Sequence, residues 1–221
     1  MHDEESPSQA LIFDAEGVVL DTEPLWDRAQ AELLRKRGRG YDRDRIKPLL
    51  AGRAPEEGMA VLKGELGLSD DPAALAEERD ALVRRAFSEE ARFIPGFPDF
   101  FARVRADYPA ALATAMDAGL LARVDRRLGL SALFTGHLYT AADAGGRGKP
   151  HPDLFFHAAR RLGVAPERCL VLEDAPHGIE AARRAGMRCI GLATTFPPAR
   201  LRAADHVVVD YDEIPPLLRP G

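Results

Sequence analysis

Two acids stand two places apart in the stretch LIFDAEGVVLDTEPLW: Asp14, directly after the apolar run Leu11-Ile12-Phe13, and Glu16, just before a glycine. A second pair, Glu173 and Asp174, follows another apolar run, CLVL. Thr114 ends the run AALAT, and Lys149 stands in the Gly-rich loop DAGGRGKP. Four carboxylates brought together repel one another unless they are protonated or matched by a cation. An oxygen-rich site with few protein ligands suits Mg²⁺, which keeps several waters and often meets a substrate phosphate. A metal beside Lys149 would attract a dianionic phosphate, and Thr114 could donate a hydrogen bond to it. Asp14, ionised beside a polarised phosphorus, then reads as a nucleophile. Glu16 reads as the group that protonates the leaving oxygen and later takes a proton from water.

The elements around these residues decide whether they meet. ALIF, AALAT (110–114), CLVLE (169–173), CIGLA (189–193) and HVVVD (206–210) are short apolar runs with no polar alternation, as expected of parallel strands buried on both faces. Amphipathic stretches with clear stops lie between them: DAGLLARVDRRLG from Asp117 to Gly129, PDLFFHAARRLG from Pro152 to Gly163, and HGIEAARRAG ending at Gly186. The alternation predicts an α/β fold, an open, Rossmann-like, doubly wound parallel sheet. In such a sheet ligands bind beyond the carboxyl ends of the strands, where Asp14, Glu16, Thr114, Glu173 and Asp174 all fall. From about Pro24 to Glu90 the chain shows helical patterns only, with Leu25, Ala29, Leu33 and Leu34 on one face of a first helix that stops at Gly38. This insert after the first strand reads as a helical lid.

Taken singly, each residue has a plainer reading. A lone Asp after a strand is usually a cap or turn former. GRGKP is not a phosphate-binding P-loop, because position 143 is Asp and Pro150 stands where Ser or Thr should. The argument rests on joint placement, each residue at the right end of a strand and in order. Composition fits it: 221 residues, 46% apolar and 29% charged, suffice for one large domain or a domain with an insert. A net charge of −5 argues against a general nucleic-acid binder. No signal pattern or membrane-length apolar run is present, so a cytoplasmic protein is expected. Cys169 and Cys189 sit in apolar runs and read as buried free thiols.

The chain resembles the haloacid dehalogenase superfamily, in its helical-cap, β-phosphoglucomutase-like and sugar-phosphate phosphatase branch. FDAEGVVLDTEPLW is similar to the first motif of that family, LAT with Thr114 to the second, GKPHPDLF with Lys149 to the third, and LVLEDAPHGIEAARRAGM to the fourth. The resemblance implies an α/β core at 10–22 and 91–221 and a helical cap at 23–90. It implies that Asp14 becomes an aspartyl phosphate, that Glu16 is the general acid/base with its backbone carbonyl on the metal, and that Thr114 and Lys149 hold the phosphoryl oxygens. It also implies that Lys149 restrains Asp14, and that Mg²⁺ is bound by Asp14, Glu16, Asp174 and Glu173. The substrate-binding set it suggests is Thr114, Ala115, Lys149, Gly52, Arg53 and Trp26, with the cap loop LLAGRAPEEG supplying specificity. The expected activity is Mg²⁺-dependent hydrolysis of a small phosphorylated metabolite, a sugar or polyol phosphate, by a monomer or weak homodimer with no nucleic-acid or membrane partner.

Two alternatives stay open. A phosphomutase of the β-phosphoglucomutase kind carries a His in the cap where this chain has Trp26. A catalytically impaired binding or regulatory protein is the other, because most phosphatases of the family carry Asp where Glu16 stands. Glu adds one methylene, about 1.5 Å of bond length, and a misplacement of about 1 Å can cost on the order of 100-fold in rate. Enolase-phosphatases, a different branch, also carry Glu there.

Overall fold

The computed structural model describes residues 9–50 and 53–218. The chain separates into two compact units, Met1–Asp21 with Arg92–Gly221 and Thr22–Ala91. No described helix is long and apolar enough to cross a membrane.

The first unit is built on six parallel strands: β1 (Ala10–Phe13), β2 (Ala110–Thr114), β3 (Leu138–Thr140), β4 (Cys169–Glu173), β5 (Arg188–Leu192) and β6 (His206–Val208). Their order in the sheet is β3-β2-β1-β4-β5-β6. This is the expected doubly wound α/β class, with β1 central and the order turning back between β1 and β4. Phe13 pairs with Leu112 on one side and Leu172 on the other, so the three strands end side by side, β4 running one residue and β2 two residues further. Every residue of β1 and of β4 is buried, as their continuous apolar composition requires.

Alternate residues of β1 face opposite sides of the sheet. Ile12 packs with Ala111, Ala113, Phe155 and Ile179. Phe13 meets an aromatic set on the other side. Phe97 and Phe101 come from the helix Phe97–Val104, Phe134 from a short turn; ring centroids lie 5.7–5.9 Å from that of Phe13. Tyr211 joins the set through Phe100, at 4.9 Å.

The second unit is all helical: α1 (Glu23–Arg35), α2 (Arg43–Leu50), α3 (Pro55–Leu66) and α4 (Pro72–Glu90). Helix α1 buries Leu25, Ala29, Leu33 and Leu34, the stripe read from the sequence, and packs on α4. Asp71 caps α4 by accepting from the Ala74 N–H at 3.1 Å. Arg37, just after α1, bonds Asp70 and Glu78 at 2.7–2.8 Å. The Arg37 bond holds Asp70 below its ordinary pKa, and Glu78 is held down first by Lys36, at 2.7 Å, and then by Arg37.

Strand β3 and helix α2 are among the elements that were not expected. Strand β3 has three residues, the first only half-buried, too few to show any periodicity. Helix α2 is short, buries only Ile46 and carries Pro48 inside it, so neither stripe nor propensity marks it. The run 206–210 narrows to a three-residue strand, because Val209 is 61% exposed.

The aromatic set predicts where the first unit is most sensitive. Phe13→Ala should cost about 3–5 kcal/mol of stability, read by denaturant unfolding; a loss under about 1 kcal/mol would mean the set is not the keystone of that face.

Candidate active site

The C-terminal edge of the sheet gathers the predicted residues. Asp14 follows β1, Thr114 ends β2, and Glu173 ends β4, with Asp174 next to it. All four are buried. Lys149 comes from the loop ahead of the helix Asp153–Leu162. Its side chain is 1% exposed, and its ammonium lies 5.1 Å from the centroid of Phe155 in that helix.

Lys149 Nζ donates to Asp14 Oδ1 and, at 2.6 Å, to Glu173 Oε1. The other oxygen of Glu173 accepts from the backbone N–H groups of Asp174 and Ala175, both at 3.0 Å. Those N–H groups precede the helix Pro176–Arg184, so Glu173 ties the end of β4 to the start of that helix. Gly178 makes room for it: a Cβ there would overlap the Glu173 carboxylate. Thr114 Oγ1 accepts from the Met116 N–H at 3.1 Å, while Ala115 is exposed beside it.

Glu16 lies half-buried in the loop after β1. That loop is held from several directions. Gly17 has φ +73°, a conformation costly for a side chain, and a Cβ there would overlap Asp174. The Thr194 hydroxyl donates to the Gly17 carbonyl, and Tyr211 Oη donates to the Val18 carbonyl at 2.8 Å. Thr195 hydrogen-bonds Asp174. Sequence reading gave Thr194, Thr195 and Tyr211 no role in the site. The first two stand just past the apolar run of β5, so the rule that found Asp14 and Glu173 would have found them had it been applied there.

Electrostatics distinguishes the acids. Burial pushes Asp14 up to about 6, with Lys149 opposing the rise and Glu173 adding to it. Asp174 rises to about 8, again through burial first, then through Glu173 and Asp14. Burial would lower Lys149, but its two carboxylates outweigh that and hold it above its ordinary value. Three buried carboxylates thus face one ammonium. With all ionised, the cluster lacks positive charge.

The donor set fits Mg²⁺. Among the described residues, no group of three or more His, Cys, Asp or Glu side chains forms a metal cage. Mg²⁺ asks for less: one or two carboxylates, with waters and a substrate phosphate completing its shell. Asp14 and Asp174 fit that requirement, since both oxygens of Glu173 are already engaged.

The other predicted substrate residues lie in the helical unit. Trp26, on α1, has its ring centroid 5.6 Å from that of Phe87 and carries Arg79 over its face. Arg53 is exposed and tied to its own neighbourhood, donating to Glu57 and to the Leu49 carbonyl, both at 2.9 Å. Gly52 lies outside the described residues.

Comparison with known proteins adds to this geometry. A sequence model of the family described as "Hydrolase: haloacid dehalogenase-like hydrolase" matches residues 9–186. The chain is 36% identical to fructose-1-phosphate phosphatase YqaB of Escherichia coli (strain K12), over 81% of this chain and 94% of that protein. It is 31% identical to a phosphorylated carbohydrates phosphatase of Thermotoga maritima, over 82% of this chain and 83% of that one. Among solved structures, an HAD family hydrolase from Deinococcus radiodurans R1, with bound phosphate and sodium, superposes with a TM-score of 0.83. It is 30% identical, over 96% of this chain and 95% of that chain.

Removing the ammonium leaves two buried carboxylates facing each other. Lys149→Met should therefore destabilise the first unit by about 3 kcal/mol at neutral pH, measured by urea unfolding in EDTA. An unchanged midpoint would show that water, not Lys149, screens the pair.

Proposed function

Given that the chain belongs to the haloacid dehalogenase-like hydrolase family, we propose that it is a Mg²⁺-dependent phosphatase of a small phosphorylated metabolite, a sugar or polyol phosphate. The observation that carries this reading is the Asp14–Lys149–Glu173 bridge beside Asp174, a buried cluster that is one cation short. The similarity to two carbohydrate-phosphate phosphatases supports the substrate class. A similar structure with bound phosphate and sodium supports a protein that takes an oxyanion and a cation.

In this reading Lys149 fixes the Asp14 carboxylate and offers its remaining proton to a phosphoryl oxygen. Thr114, at the end of the neighbouring strand, donates to a second. One Asp14 oxygen attacks phosphorus. The bond from phosphorus to the ester oxygen breaks, and Glu16 gives its proton to that oxygen. Glu16 then takes a proton from water, whose oxygen attacks phosphorus and releases Asp14 and inorganic phosphate. Asp14, Asp174 and the residue-16 carbonyl would hold Mg²⁺, with Glu173 fixing the site around them. Bound there, the metal supplies charge neutralisation for the phosphoryl group. The units Thr22–Ala91 and the remainder act as the cap and the catalytic core. With a net charge of −5, the protein works as a cytoplasmic monomer or weak homodimer, without nucleic acid or membrane.

The test is a screen over fructose 1-phosphate, glucitol 6-phosphate, glycerol phosphate, nucleotides and p-nitrophenyl phosphate. Phosphate release that requires Mg²⁺ and stops in EDTA is expected, with Asp14→Asn lowering kcat by at least about 10³-fold, since it removes the nucleophile. No Mg²⁺-dependent release from any of them, or an active Asp14→Asn, would refute the reading.

Glu16 defines a further measurement. Glu16→Gln should lower kcat by roughly 10²–10⁴-fold, whereas Glu16→Asp should keep the native rate within about tenfold. A silent native protein that Glu16→Asp turns into a phosphatase would instead identify a binding protein built on this fold.

A further inference from the structure

The helical unit contains a cavity of about 170 Å³ between α1, α2 and α4, with Trp26, Gln30 and Arg79 along one side. Arg79 lies half-buried over Trp26, 5.1 Å from the ring centroid. With the Gln30 amide turned so that its oxygen faces the guanidinium, that oxygen accepts from Arg79 at 2.6 and 3.2 Å. Gln30 is neutral, so these bonds leave the charge of Arg79 unmatched. The adjacent Asp80 is taken by Arg84, at 2.6 Å. Among the described residues, no carboxylate forms an ion pair with Arg79.

The two acids on the cavity wall are already held. Glu23 accepts from Lys47 and from Arg43, the latter at 2.5 Å. Asp27 pairs with Arg43 at 3.0 Å and accepts from Tyr41 Oη at 2.7 Å. Two carboxylates, Glu23 and Asp27, thus stand against three cations, Arg43, Lys47 and Arg79. One positive charge is in surplus, and burial already disfavours it, holding Arg79 below its ordinary pKa. The cavity is small for a drug-sized ligand. It suits one charged group with a few hydroxyl-bearing carbons.

We propose that this cavity binds the carboxylate or phosphate group of a small hydroxylated molecule, gripped by Arg79 over Trp26. A guanidinium offers a planar fork of donors that matches such a group. The Gln30 amide nitrogen supplies donors for hydroxyl oxygens, and Tyr41 Oη and Asp27 supply acceptors for hydroxyl protons. The ligand chemistry is the same whether the anion is a second group on the phosphatase substrate or a separate small molecule. The site itself does not depend on the phosphatase reading; only the choice between those two sources does.

Trp26 is the one tryptophan of the chain, so its fluorescence reports on this cavity directly. The full-length protein in EDTA is titrated with gluconate and with glucitol, a carboxylate and a neutral polyol of equal chain length, by fluorescence and by calorimetry. A saturable response to gluconate at least about tenfold tighter than to glucitol is expected. Arg79→Gln should weaken gluconate by at least about tenfold, and Arg79→Lys by less. Equal binding of the two probes, no gluconate binding, or an Arg79→Gln variant that binds like the native protein would overturn the site. Calorimetry on the native protein decides the first two even if a variant fails to fold.

A kinetic arm separates the sources, with gluconate and glucitol each phosphorylated at the terminal hydroxyl as the paired substrates. If the anion belongs to the substrate, Arg79→Gln raises KM for phosphogluconate at least about fivefold more than it raises KM for glucitol phosphate. If it is a separate ligand, gluconate changes glucitol phosphate turnover in the native enzyme and not in Arg79→Gln. Absence of both in an active enzyme overturns a functional role for the site. Absence of any phosphate release defeats the phosphatase reading and leaves the binding result to stand on its own.

Discussion

The ammonium of Lys149 is the interaction on which the first unit's chemistry depends. Withdrawing a charge from water costs several kcal/mol, and the Lys149 side chain is 1% exposed. Only two carboxylates drawn to the same point make that position tolerable. The bridge joins three separate pieces of chain: Asp14 beyond β1, Lys149 in its loop and Glu173 at the end of β4. Glu173 extends it into the helix that follows, through the N–H groups of Asp174 and Ala175. Asp174 is the acid left without a direct ammonium, and it carries the larger upward shift of the two raised aspartates. The same contacts that place the acids therefore leave one of them in want of a cation.

The aromatic set on the far side of β1 supplies the rigidity this arrangement needs. Phe13 immediately precedes Asp14, so fixing its ring between Phe97, Phe101 and Phe134 fixes the backbone that carries the carboxylate. Tyr211 belongs to that set and also spans 193 residues of sequence to bond Val18. Apolar packing and the site loop are thereby joined in one residue. Its buried phenol keeps its proton, because burial raises its pKa well above the ordinary value.

The sheet and the gathering of acids at its C-terminal edge were legible because both follow from strong local rules. Fully buried strands are continuous apolar runs, and ligands gather past their carboxyl ends. Strand β3 and helix α2 were not legible, being too short to repeat a pattern. The internal balance of charge was not legible either. The sequence shows that Glu173 is acidic but not that Lys149 and two N–H groups occupy both its oxygens. Arg53 stood out as an arginine in a cap loop, yet it pairs with Glu57 one helical turn away. Arg79 sits inside a charged helix among Glu77, Glu78 and Asp80, where an arginine reads as a solvated surface residue. Only the fold shows it lying across Trp26.

The longer acid at position 16 meets a loop that has little freedom to adapt. The Gly17 carbonyl is held by Thr194, the Val18 carbonyl by Tyr211, and the Val19 carbonyl by the N–H of Ile94. Gly17 cannot move towards Asp174, because the two already touch to the point where a Cβ would not fit. The extra methylene therefore cannot be absorbed by shifting the backbone. It must be absorbed by the torsions of Glu16 itself. One more rotatable bond costs entropy of roughly 0.5 kcal/mol when it is fixed, a small penalty beside the 10²–10⁴-fold that a placed general acid contributes, roughly 3–5 kcal/mol. A pinned loop thus favours Glu16 as a working acid with a bent side chain over Glu16 as the mark of a dead site.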